Sequence, residues 1–161
     1  MIGTFALILA SISFVIVIGG AVYEHLAVVP VWASAVPASL AMFQPPHSLA
    51  AANFWIPIHP VTLFLMAASL LLNWRSERRN FILITLVGYV LVLITTFLFF
   101  VPELMVLTQT AFSQTVDPGL TDRAQRWETL SLVRLGFLLF LAVALLWGLS
   151  RPGRRPDMAA T

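Results

Sequence analysis

An uncharged run of 22 residues, Ile2 to Tyr23, opens the chain. The hydrocarbon core of a bilayer takes about 20 apolar residues of helix to cross. A backbone placed there must satisfy its own hydrogen bonds, which leaves helices and closed barrels as the available spanning structures. Three further runs repeat the pattern. They are Asn80 to Pro102, Pro57 to Trp74, and Thr129 to Ser150, the last broken only by Arg134. These runs predict an all-α membrane protein, an antiparallel bundle of four transmembrane helices with spans at about 2–25, 56–74, 80–104 and 127–150. A single integral membrane domain over residues 1–161 follows, because the connecting segments are too short for a second one.

Composition supports this class. Hydrophobic residues make up 60% and charged residues 10% of the chain, and its mean hydropathy is +0.94. A soluble domain carries about a quarter charged residues, so a water-soluble globule, a disordered chain and a coiled coil are excluded. There is no cysteine. That removes disulfides, thiolate metal sites, iron–sulfur clusters and a cysteine nucleophile. The pI of 9.9 comes from arginines that flank apolar spans. They read as contacts to anionic headgroups rather than to nucleic acid. The expected partners are therefore the bilayer and a hydrophobic small molecule, with no nucleic acid, and a homo-oligomer is left open. No phosphate loop, dinucleotide fingerprint or Gly-x-Ser-x-Gly elbow is present.

The stretch Ala27 to Phe43 is apolar but carries Pro30 and Pro37. Two prolines oppose a straight spanning helix. We read it as an interfacial or re-entrant segment after the first helix that caps one end of the bundle. Ala33-Ser34-Ala35 matches a small-x-small cleavage pattern. The first span has no basic flank and is longer than a signal h-region, so we read it as a span. Arg75, Arg78 and Arg79 in one loop, and Arg151, Arg154 and Arg155 against Asp157 in the tail, place these segments and both termini on the cytoplasmic side of a multi-pass protein.

The outer ends of all four helices carry ionisable residues. They are Glu24 and His25 on the first, His59 on the second, Glu103 on the third, and Arg126, Glu128 and Arg134 on the fourth. The inner ends have only arginine-rich flanks. Arg134 stands six residues beyond Glu128, roughly 9 Å deeper at 1.5 Å per residue. It should face the interior and be paired, with Glu24 and Glu103 as candidate partners. Trp127 shares its face, seven residues earlier. His25, His59 and a carboxylate such as Glu103 form a candidate metal set for iron or copper, and His25 with His59 is a candidate haem pair. The reading that weighs more for each histidine is a hydrogen bond to a backbone carbonyl or a headgroup near the interface. His47 reads as a surface residue. Trp32 and Trp55 read as an aromatic belt, and Tyr89, Thr95 and Thr96 as contacts between helices. Gly19 and Gly20 allow close packing, and Asp117-Pro118-Gly119 reads as a turn, with Thr121 or Asp122 capping the helix after it.

Two short motifs then resemble a known family. Val101-Pro102 followed by Leu107, and Arg126-Trp127 followed by Val133-Arg134, resemble the small four-helix membrane proteins related to anthrone oxygenases. The chain carries Glu103 where that family has Asn, and Ser131-Leu132 where it has Trp-Asn. The resemblance implies oxygenation of an electron-rich aromatic molecule held within the membrane. The leading expectation is an oxygenase-type oxidoreductase acting on a hydrophobic small molecule in a pocket at the outer end. His25, His59, Glu103 and Arg134 would be its catalytic residues. Trp127, Glu24 and Glu128 would line the cofactor. Two other readings stay open: a haem- or quinone-binding electron carrier, and a non-enzymatic scaffold or transporter subunit.

Overall fold

The computed structural model describes residues 1–46 and 48–153. His47 and the tail residues Arg154, Arg155 and Asp157 lie outside the described residues. Every regular element among the described residues is helical. Four helices are long and apolar enough to cross a membrane: α1 (Ile2–Trp32), α2 (Ala52–Leu72), α3 (Arg79–Thr108) and α4 (Pro118–Leu149).

Their lengths are unequal. At 1.5 Å per residue the 21 residues of α2 extend about 32 Å, close to one hydrocarbon thickness. The 31, 30 and 32 residues of α1, α3 and α4 extend about 45–48 Å. The three long helices overshoot α2 at the same end, and two apolar cores result. The larger one gathers Leu7, Phe14, Met66, Tyr89, Leu141 and Leu145 from all four helices. The smaller one joins Val29, Trp32, Val36 and Leu40 to Phe100, Leu107, Ala124 and Trp127. The segment after α1, including a short 3-10 turn at Leu40–Phe43, thus folds back as a cap over the overshooting ends. Asp117 N–H donates to the Val36 carbonyl at 2.8 Å and ties the cap to the start of α4.

Three predicted boundaries need correction. The first span continues past residue 25 to Trp32, and the third past 104 to Thr108. Pro30 and Pro102 do not end these helices, because each follows a π-helical turn, Glu24–Val28 and Thr96–Phe100. Val29 N–H bonds the Glu24 carbonyl and Val101 N–H the Thr96 carbonyl, five residues back in each case. Widening the turn relieves the clash between a proline ring and the preceding turn, so the axis continues. The fourth helix begins at Pro118, well before 127. Asp117, not Thr121 or Asp122, is its N-cap, with Oδ1 accepting from Gly119 N–H at 2.8 Å and Leu120 N–H at 3.1 Å. Pro118 follows at the first helical position, where its missing N–H costs nothing.

Close packing falls on few glycines. A Cβ at Gly20 would lie 2.6 Å from the Phe54 ring, and one at Gly88 2.8 Å from the Leu141 side chain. Gly19 faces open space, so of that pair only Gly20 serves packing. The lipid-facing sides carry exposed Ile, Leu, Val and Phe, as expected where lipid replaces water.

The end opposite the cap is held by polar clasps. Asn73 Nδ2 donates to the Gly3 and Ser69 carbonyls, both at 2.8 Å. Arg78 is buried, with Nε donating to the Arg151 carbonyl at 2.8 Å and Nη1 to Thr4 Oγ1 at 2.7 Å. It joins the start of α1, the α2–α3 loop and the end of α4. The sequence reading treated Arg78 as an ordinary flanking charge.

Candidate functional site

Glu24, His25 and Arg134 sit near the junction of the two cores, and the two π turns carry several of the residues that meet there. The first carries Glu24 and His25 on α1. The second carries Thr96 and Phe100 on α3. Both turn toward one stripe of α4 formed by Trp127, Ser131 and Arg134, spaced four and three residues apart.

His25 is buried. Its Nδ1 lies 2.8 Å from the Ala21 carbonyl oxygen. A carbonyl only accepts, so Nδ1 carries a proton, and in the neutral imidazole Nε2 presents a lone pair. That Nε2 is buried without a protein partner. The ring stacks parallel to Trp127, 2° between planes and 6.5 Å between centroids. Trp127 is itself fixed, with Nε1 donating to the Phe100 carbonyl at 2.9 Å and with Trp32 at 5.6 Å between centroids. Trp32 is therefore core, not interfacial belt.

Arg134 is half-buried, as its position on α4 predicts. Its Nη1 donates to Thr96 Oγ1 at 3.0 Å and its Nη2 to Ser131 Oγ at 2.7 Å. The guanidinium lies over the Phe100 ring, 4.1 Å from the centroid. The expected ion pair is not formed. Glu24 stays within Coulombic reach of Arg134 but accepts its hydrogen bond from Trp55 Nε1 at 2.7 Å. Glu103 takes both of its bonds from Arg123, Nε and Nη2 at 2.9 Å each, at the exposed rim. This is the one salt bridge among the described residues. One residue inserted by the π turn at Thr96–Phe100 rotates everything beyond it by about 100°, which sequence spacing alone does not register.

The predicted metal set does not assemble either. His25 faces Trp127, His59 faces Trp55 and Tyr89, and Glu103 faces Arg123. Among the described residues no three His, Asp or Glu side chains gather so as to hold a metal. The two imidazoles stack on different tryptophans, His25 on Trp127 and His59 on Trp55. Glu128 is half-buried and enters none of the described hydrogen bonds.

The remaining residues form a second polar chain. His59 Nδ1 lies 2.7 Å from Tyr89 Oη and the imidazole stacks on Trp55 at 5.5 Å. Trp55 in turn bonds Glu24. Deeper, Ser13 and Thr62 share a hydrogen bond of 2.7 Å. The sequence reading counted Tyr89 and Thr96 only as helix contacts and overlooked Ser131, Phe100 and the cap's role. The four-residue step from Trp127 to Ser131 was the signal available for Ser131. A cavity lies elsewhere, at the opposite end of α2, lined by Leu71, Leu72, Trp74, Arg75 and Ser76.

Comparison with protein-family models, with curated proteins and with solved structures yields no match to this chain.

Proposed function

We propose that the cluster at the cap end binds a hydrophobic small molecule bearing an acidic hydroxyl or activated methylene, and that the chain acts on it as an oxygenase-type oxidoreductase. The observation that carries this reading is the His25 imidazole. Its tautomer is set by the Ala21 carbonyl, and the basic Nε2 is buried with nothing to bind. A buried polar atom without a partner costs about 1–3 kcal/mol, and a ligand proton donor would remove that cost. Histidine is also the side chain best suited to accept a proton near neutral pH.

Three features shape the chemistry. His25 Nε2 takes a proton from the bound molecule. Arg134, at the same junction, offers a cation to the anion that forms. Trp127 and Phe100 supply flat apolar surfaces that suit an aromatic ring. The electron-rich anion reacts with dioxygen. Across the whole conversion two C–H bonds of a methylene break and one C=O forms, and the second oxygen atom leaves as water with both hydrogens. The resemblance to anthrone oxygenases implies the same substrate class, an electron-rich aromatic molecule held within the membrane.

The test uses purified protein in lipid nanodiscs with anthrone as the probe. The wild type is expected to bind anthrone, read as quenching of tryptophan fluorescence, and to raise dioxygen uptake and quinone formation. H25A should retain the fold and lose turnover. Equal turnover by wild type and H25A, or no binding by either, would overturn the reading. A Soret band in the purified protein would instead favour the haem carrier.

A further inference from the structure

At the end of the bundle away from the cap, the α2–α3 loop divides its arginines between two tasks. Arg78 turns inward and is consumed by the clasp to Thr4 and the Arg151 carbonyl. Arg75 and Arg79 stay exposed. Arg75 enters none of the described hydrogen bonds, and Arg79 makes only a long contact from Nε to Asn80 Oδ1 at 3.4 Å. Beside Arg75 lies a cavity of about 220 Å³, lined by Leu71, Leu72, Trp74, Arg75 and Ser76. The Arg79 guanidinium stands over the Trp74 ring at 5.4 Å, which holds a cation beside its rim.

The level of this depression matters. The 21 residues of α2 match one hydrocarbon thickness, so its last residues, Leu71 and Leu72, reach the boundary where headgroups begin. Both leucines are exposed, at 73% and 54%, and form an apolar floor. Trp74 sits where aromatic side chains prefer to lie, between acyl chains and water. Glu77 is the acidic residue of the loop, exposed and outside the lining of the depression. The chemistry runs from apolar floor to aromatic wall to two cations.

We propose that this depression is a binding site for an anionic glycerophospholipid. Its phosphate sits between Arg75 and Arg79, and the first methylenes of one acyl chain lie on Leu71 and Leu72. A guanidinium suits this task because its planar fork matches phosphate oxygens. A neutral, zwitterionic lipid offers the same phosphate but carries its own cation beside it, which the two arginines repel. The site is separate from the cap-end cluster and stands whether or not that cluster is catalytic.

The experiment uses the full chain in nanodiscs containing brominated phosphatidylglycerol or brominated phosphatidylcholine. The difference in quenching between wild type and W74F isolates the Trp74 signal. Brominated phosphatidylglycerol should quench Trp74 more strongly than brominated phosphatidylcholine. Each of R75Q and R79Q should weaken that preference about fivefold, because an arginine near an anionic surface contributes at about that level. Both side chains are exposed, so both variants should keep the wild-type melting temperature and helix content. Equal quenching by the two lipids, or a preference unchanged in R75Q/R79Q, would overturn the proposal. So would relief of the quenching by inorganic phosphate at concentrations comparable to the lipid, which would make the site one for soluble phosphate.

Discussion

Replacing Arg134 by methionine distinguishes a charge kept for chemistry from one kept for stability. Arg134 precedes Ser150 by 16 residues, so it lies roughly 24 Å along α4 from that end. That places it a few ångströms inside the cap-side boundary of a core about 30 Å thick. An arginine at the helix centre costs about 2.5–3.5 kcal/mol, which is an upper limit at this depth. Against this stand the bonds to Thr96 and Ser131, at about 0.6 kcal/mol each within a membrane. The stack on Phe100 adds about 0.5–2 kcal/mol. The two sides are of similar size. R134M should therefore unfold within about 1 kcal/mol of wild type. Breaking a buried ion pair would instead cost about 3–5 kcal/mol. The assay is denaturation in mixed micelles followed by circular dichroism, paired with anthrone binding. Loss of a charged hydrogen bond to the ligand, about 1.5–3 kcal/mol, should weaken binding roughly 10- to 150-fold. A stability loss above about 3 kcal/mol with binding intact would refute the argument and make Arg134 a structural residue.

Four other outcomes follow from the packing and the polar contacts. G88A should destabilise the bundle by about 1–3 kcal/mol, because its Cβ meets the buried Leu141, whereas G19A should be neutral or slightly stabilising; thermal melts that reverse this order would contradict the packing. Y89F removes the partner of His59 Nδ1 and should cost about 0.5–1.5 kcal/mol, with a measurable change in the His59 imidazole resonances by NMR; an unchanged spectrum would remove the bond from the account. R78Q should lower stability by about 2–4 kcal/mol, since it opens the clasp joining α1, the loop and α4; a melting temperature equal to that of R75Q would refute this contrast. Dialysis against a chelator should leave the melting temperature unchanged, because no set of metal donors converges among the described residues; a clear fall would show that a bound metal stabilises the fold.

Much of the architecture was legible in the residues. Long uncharged runs at helical length have one stable form in lipid, so four spanning helices follow from sequence alone. The shared face of Trp127 and Arg134 also follows, because α4 is regular and a seven-residue step returns to the same side. Glu24, His25, His59 and Arg134 were legible as a group through their position at one end. Their pairing was not. Glu103 looked like a partner for Arg134 because counting assumes 3.6 residues per turn throughout, and α3 departs from that at Thr96–Phe100. Arg78 looked like Arg75 and Arg79 because a string of arginines does not record which one turns inward.

The sequence by itself determined the solvent, the helices and the short roster of polar residues, because these depend on local composition and on the cost of placing charge in hydrocarbon. Only the tertiary structure decided which of those residues meet. Two π turns, each set before a Val-Pro step, shift the angular register of α1 and α3. In the folded chain His25 keeps an unclaimed nitrogen, Glu103 goes to Arg123, and Arg134 closes against Thr96, Ser131 and Phe100. Which way a side chain points is a property of the accumulated twist of the helix, and one inserted residue changes it by about 100° without leaving a mark in the hydropathy.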